Sequence, residues 1–141
     1  MGKRTARLFL LCALGALLAG CPQERPPTVE SNVYPTEYKR EIITTLRTDV
    51  FSKNDTARVT NAMIAGPVLE QTGKDQHYSA CISYTAHGAQ PGLSTNATRI
   101  AYFYGGHLNQ IIPADGGQCA KANYQPFPEL NAVCAGTGCK Q

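Results

Sequence analysis

From His77 to Ala86 the chain alternates without a break. Tyr78, Ala80, Ile82, Tyr84 and Ala86 fall on one side, and His77, Ser79, Cys81, Ser83 and Thr85 on the other. Ten residues of period two fit a strand and not a helix, whose period is 3.6. Such a strand needs a core against its apolar side and water or a thin cover on the other. The chain is thereby committed to a sheet, and nearby sequence supplies partners. Thr98–Tyr104 and His107–Ile112 flank Gly105-Gly106, a spacing that predicts a tight hairpin. A two-residue turn puts Tyr104 opposite His107, Phe103 opposite Leu108 and Ile100 opposite Ile111. Both faces of this hairpin are partly apolar, so the pattern leaves open which one meets the core.

Upstream, the period changes. Tyr34, Tyr38, Ile42, Leu46 and Val50 recur every four residues, with Ile43 widening the stripe. That spacing predicts an amphipathic helix opening at Tyr34-Pro35, where a proline loses no hydrogen bond, and ending near Val50. Arg58 to Ala65 reads as a first strand broken by Gly66-Pro67, with Val68-Leu69 as a short edge piece and Gln71 to Gln76 as a loop. Residues 87–97 read as a second loop. After a turn at Pro113–Gly117, the segment from Cys119 carries Tyr124, Phe127, Leu130 and Val133. Prolines at 126 and 128 allow it only a short helical turn. It is expected to strap over the sheet. The sum is an α+β domain: one N-terminal helix on a small antiparallel sheet of three to four strands, with a disulfide-tied tail.

The first residues hold Lys3, Arg4 and Arg7 and no acid, followed by an apolar run from Leu8 to Ala19. About a dozen residues is too short for a membrane-spanning helix, which needs about twenty. A basic head and short apolar stretch are the parts of an export signal. The run ends in Leu18-Ala19-Gly20-Cys21, which resembles the lipobox of bacterial lipoproteins. The resemblance implies cleavage before Cys21, a diacylglyceryl group on its thiol, and acylation of the new N-terminus. It makes residues 1–20 a signal peptide. Two or three acyl chains, at ~0.8 kcal/mol per buried CH₂, would anchor the protein stably in a membrane. With Pro22 rather than Asp after the cysteine, the resemblance favours the outer membrane, facing the periplasm. Residues 21–33 form the lipidated N-terminus and a Pro-rich linker, reaching roughly 35 Å if extended. The single domain is expected over 34–141. Its Tyr34-Pro35, the Cys81 strand, Tyr102–Gln110 and Tyr124–Leu130 are similar to small proteobacterial lipoproteins of no assigned activity.

Export bears on the cysteines. With Cys12 in the leader and Cys21 in the lipobox, Cys81, Cys119, Cys134 and Cys139 remain, and an oxidising compartment favours disulfides. Of three possible pairings, Cys81–Cys119 with Cys134–Cys139 is favoured, because the last two are close in sequence. Chain entropy assigns roughly 4 kcal/mol to the long bridge and roughly 2 to the short one. Lacking a C-x-x-C pair, the four thiols do not resemble a zinc site. Charge excludes other classes. Three of the thirteen Lys/Arg lie in the leader, so the remaining ten balance ten acids. A neutral domain without a basic cluster argues against nucleic acid.

No catalytic constellation stands out, and no metal or cofactor is implied. His77, Cys81 and His87 share a strand face, but His77 and Cys81 lie about 13 Å apart, too far for one ion. Ser79, Ser83 and Asp115 lack a G-x-S-x-G elbow. Gly136–Lys140 lacks the spacing of a phosphate loop. Tyr102, Tyr104 and His107, around Phe103 at the hairpin tip, are candidate contacts for a partner protein or glycan. The expectation is a lipid-anchored envelope protein that binds or holds another component rather than catalysing. The alternative is an inhibitor of a hydrolase, such as a lysozyme or protease, inserting the Gly105-Gly106 hairpin or the 87–97 loop. A hydrolase is less favoured.

Overall fold

The computed structural model describes residues 33–133. Its strands are β1 (Thr56–Thr72), β2 (Asp75–Gly88), β3 (Ser94–Tyr104), β4 (His107–Pro113) and the two-residue β5 (Gln125–Pro126). They form one antiparallel sheet in the order β4-β3-β2-β1-β5. Helical segments are α1 (Tyr38–Thr45), a π-helical turn at Leu46–Phe51, and the short α2 (Pro128–Asn131). Cys21, Cys134, Cys139 and the lipobox lie outside the described residues.

The alternating stretch of β2 divides two apolar clusters. Ala80, Ile82 and Tyr84 are buried on one face with Ile42, Leu46, Phe51, Val59, Ala62, Ile64, Ala101 and Phe103. Cys81 is buried on the other with Ala65, Ile100 and Cys119. The hairpin of β3 and β4 thus turns Phe103 toward the helical side.

β1 is where the chain departs most from its sequence pattern. It is a single long strand, carried through the expected break. A register shift at the strand's start, between Thr56 and Arg58, precedes two bulges, between Thr60 and Met63 and between Ala65 and Val68. Each bulge holds a residue at positive φ, Asn61 (54°) and Gly66 (101°), and Gly66-Pro67 is a cis peptide. A bulge adds one residue and reverses which side the following residues face. Val59 and Ala62, three apart, therefore both reach the helical side. A Cβ on Gly66 would stand 2.7 Å from the Ser79 carbonyl oxygen, so only glycine fits. Pairing continues to Thr72↔Asp75, and the loop expected at Gln71–Gln76 is instead a two-residue turn, Gly73-Lys74.

The first bulge also receives the tail. The Ala62 amide donates to Asn131 Oδ1 at 2.9 Å, and the Ala62 carbonyl accepts from the Phe127 amide at 2.8 Å. β5 pairs beside it, at Met63↔Pro126 and Ile64↔Gln125. The sheet consequently has five strands rather than three or four. The tail does not lie on one side as a single strap. Residues 114–124 cross the second face, where Ala114, Ala122 and Tyr124 pack on the smaller cluster. Phe127, Leu130 and Val133 then enter the larger core, the first two fully buried.

α1 begins three residues after the buried Pro35, whose carbonyl accepts from the Tyr38 amide. Ile42 and Leu46 are fully buried, with Tyr38, Ile43 and Val50 partly covered. Tyr34 remains half exposed, its ring edge-on to Tyr78 at 5.4 Å. The helical path continues one residue past the expected end at Val50. A wide turn, with the Ser52 amide bonded to the Arg47 carbonyl, rotates Phe51 into the core against Tyr84.

In the second hairpin, Tyr104↔His107 and Phe103↔Leu108 pair across Gly105-Gly106, both glycines at positive φ. The expected Ile100–Ile111 pair is corrected to Ile100↔Ile112. A bulge between Tyr102 and Phe103, accommodating Asn109 on β4, shifts the register by one. Val33 packs over this turn, near enough that a Cβ on Gly106 would meet its Cγ1 at 2.9 Å. The free edge of β4 is partly capped: Glu41 of α1 accepts from the Leu108 amide at 2.6 Å.

Candidate functional site

The helical segment shields the first face only as far as Phe51. Beyond it, β2 and β3 carry Tyr84, Ala86, Thr95, Ala97 and Arg99 into a groove of about 420 Å³, walled by Val50, Asn54, Thr56, Gly88 and Leu93. A second hollow of about 520 Å³ adjoins it, sharing Asn54, Thr56, Gly88 and Leu93 and adding Asp55 and Gln90. The walls are local constructions. On one side, the Asn54 amide bonds the Val50 carbonyl, closing the turn after the helix, and Asp55 sits at positive φ. On the other, Gly88 and Leu93 close a short loop through an amide–carbonyl bond of 2.9 Å. Leu93 is 58% exposed on the rim.

Arg99 is the charged residue at the inner end. Its register partner is Ile82, on the apolar side of the sheet. Its Nε donates to the Tyr84 hydroxyl at 2.9 Å. Among the described residues, no ion pair involves Arg99. A half-buried guanidinium whose Nη edge has no hydrogen-bond partner among the described residues, beside walls of mixed apolar and polar character, has the character of a ligand subsite.

The opposite face holds the aromatic residues singled out from sequence, gathered around His77. His77 is 4% exposed, with Tyr102 at 5.4 Å and Tyr104 stacked at 5.3 Å, centroid to centroid. Its Nε2 lies 3.6 Å from one oxygen of Glu70, and the other accepts from Ser79 Oγ at 2.6 Å. The buried His77 Nδ1 has no partner among the described residues. A serine, an acid and a histidine do meet here, in an order that does not serve acyl transfer. The carboxylate stands between the hydroxyl and the imidazole, whereas a nucleophilic serine needs the imidazole against its own oxygen.

The remaining candidates separate. His107, though paired with Tyr104, turns toward Glu41, Nδ1 to Oε1 at 3.3 Å. His87 Nε2 meets Thr60 Oγ1 at 2.8 Å, at the far end of the same sheet face. Asp115 lies in the crossing segment, its amide bonded to Gln118 Oε1. Gln118 in turn reaches the Tyr102 hydroxyl at 3.3 Å. Cys81 and Cys119 form a disulfide with Cα atoms 5.8 Å apart. Burial beside this bridge pushes the Tyr124 phenol above its usual range. Among the described residues, no group of three His, Cys, Asp or Glu is placed to hold a metal, and no helix is long and apolar enough to cross a membrane.

Sequence reasoning missed Arg99 and the Glu70–Ser79 pair. Arg99 had a signal: it interrupts the apolar set Ala97, Ala101 and Phe103 on one side of β3. Glu70 had none, because the second bulge of β1 decides which way it points. Comparison with family models, curated proteins and solved structures gives no match.

Proposed function

We propose that the chain is a lipid-anchored protein of the bacterial envelope, acylated at Cys21, held at the outer membrane facing the periplasm, and acting as a binding module rather than an enzyme. The Leu18–Cys21 lipobox supports the anchor, and the Cys81–Cys119 disulfide accords with an oxidising compartment. Binding rests on one observation: the groove at the end of the sheet that the helical segment leaves open, where Val50, Ala86, Leu93 and Ala97 line a path to Arg99. The helix packed on the sheet belongs to the same reading, since it ends where the groove begins. Tyr102 and Tyr104 are a secondary contact surface in this proposal, with His107 at its border.

Metabolic labelling with an alkyne fatty acid tests the anchor. Labelled protein in the membrane fraction, lost on Cys21→Ser, is the expected result. Unchanged processing and membrane association in that variant would overturn it. The exposed Leu93, on the rim of the 88–93 loop, favours a second reading as a hydrolase inhibitor. Lysozyme and serine protease assays with the purified chain separate the two.

A further inference from the structure

The geometry points to a ligand class for the groove: an aliphatic monocarboxylate, its carboxylate on the Nη edge of Arg99 and its chain along Val50, Ala86, Leu93 and Ala97. This deepens the reading of the groove as a binding site and rests on it.

Three observations carry the assignment. The Arg99 Nε is held by the Tyr84 hydroxyl, so the guanidinium is oriented before any ligand arrives, and its remaining donors suit a two-oxygen acceptor. Among the described residues, no carboxylate lies within 4.0 Å of Arg99, so none of these competes with an incoming anion. Val50, Ala86, Leu93 and Ala97 give the lining an aliphatic track beside the polar Asn54, Thr56 and Thr95, and 420 Å³ falls in the range of small-molecule pockets, roughly 300–1,000 Å³. Charge also sets an upper limit. Asp55 lines the adjoining hollow, so a doubly charged head such as a phosphate monoester would meet about twice the repulsion that a single carboxylate meets there.

The test uses the full chain in phosphatidylcholine nanodiscs, methyl-labelled at Ala, Val and Leu and followed by NMR. Octanoate, octyltrimethylammonium and octanamide are titrated below micelle formation. Site-resolved signals separate groove binding from partition into lipid. Saturable shifts at Val50, Ala97 and Leu93 with octanoate, and much weaker ones with the other two, are expected. Arg99→Met should weaken octanoate at least ten-fold, and Tyr84→Phe less, because it frees the guanidinium without removing it. Leu93→Asp, at an exposed position outside the core, should also weaken octanoate and covers the case in which Arg99→Met misfolds. If all three probes bind alike and Arg99→Met changes nothing, the groove is a site but the anion assignment is wrong. If no probe moves the groove methyls, both readings fall.

Discussion

The two faces of the sheet are closed in different ways. The helical face is sealed by volume: Ile42, Leu46, Phe51, Phe103, Phe127 and Leu130 are almost wholly buried, and they come from α1, the π turn, β3 and the tail. The second face has a small cluster of Ala65, Cys81, Ile100 and Cys119, and a covalent bridge joins its cover to the strand beneath. A thin cover buries too little apolar surface to hold itself down, at about 25 cal/mol per Å², so a crosslink does the holding. The difference teaches where each face should fail: the first on loss of packing, the second on reduction.

The largest effect should come from the first face. Phe127→Ala is expected to cost about 3–5 kcal/mol in urea unfolding, because the ring is fully buried and its neighbours belong to several elements. A loss under ~1 kcal/mol would mean that the tail contributes little to that core. Replacing Cys81 and Cys119 together with alanine should cost about 2–4 kcal/mol, since the bridge closes a loop with a sequence separation of 38. If the faces differ as argued, hydrogen exchange in the double variant should rise first across residues 114–124 and only later in α1. Simultaneous exchange in both would erase the distinction.

A medium effect lies at the joint between tail and sheet. Asn131→Ala leaves the Ala62 amide without its acceptor, at a cost of about 1–3 kcal/mol. Asn131→Asp keeps an acceptor and should recover much of that loss.

The smallest effect concerns an exposed pair on the helical face. Lys39 Nζ lies 3.2 Å from Glu129 Oε1 and 5.5 Å from the centre of the Phe127 ring. The Glu129 backbone amide first, and Lys39 second, hold that carboxylate below its usual range. A lowered pKa stabilises the fold above the unfolded value near 4.5, and the contribution disappears as pH falls through the folded one. Glu129→Gln should therefore flatten a shallow acid-side slope in thermal melts, by slightly lowering stability at neutral pH and leaving it unchanged at strongly acid pH. With both side chains 40–50% exposed, water screens most of the interaction.

The same contrast explains what could be read in advance. β2 was legible because its register is unbroken from Tyr78 to Ala86, and the two-glycine hairpin because its turn chemistry is local. β1 was not, because bulges at Asn61 and Gly66 twice reverse its inward side. Its buried positions therefore follow neither period. Phe51 was hidden by the widened turn, which adds a residue to the helical repeat. The division of the tail between the faces depends on the Ala62 backbone, a partner with no sequence signature. Of the site, only the aromatics on the second face stood out. Arg99 gains its meaning from what surrounds it: α1 and the π turn stop short, and two loops rise around the space left.

The seat of Val33 on the Gly105-Gly106 turn fixes a polarity for the described domain. The polypeptide joins the domain at the end of the sheet where both hairpins turn, beside Tyr78. Arg99 and Leu93 open at the other end, where the rim near Ala86 is about 26 Å further along β2 at ~3.3 Å per residue. In the proposed lipid-anchored protein, the chain would enter at one end of the sheet and the groove would open at the other, so attachment would leave the mouth unobstructed.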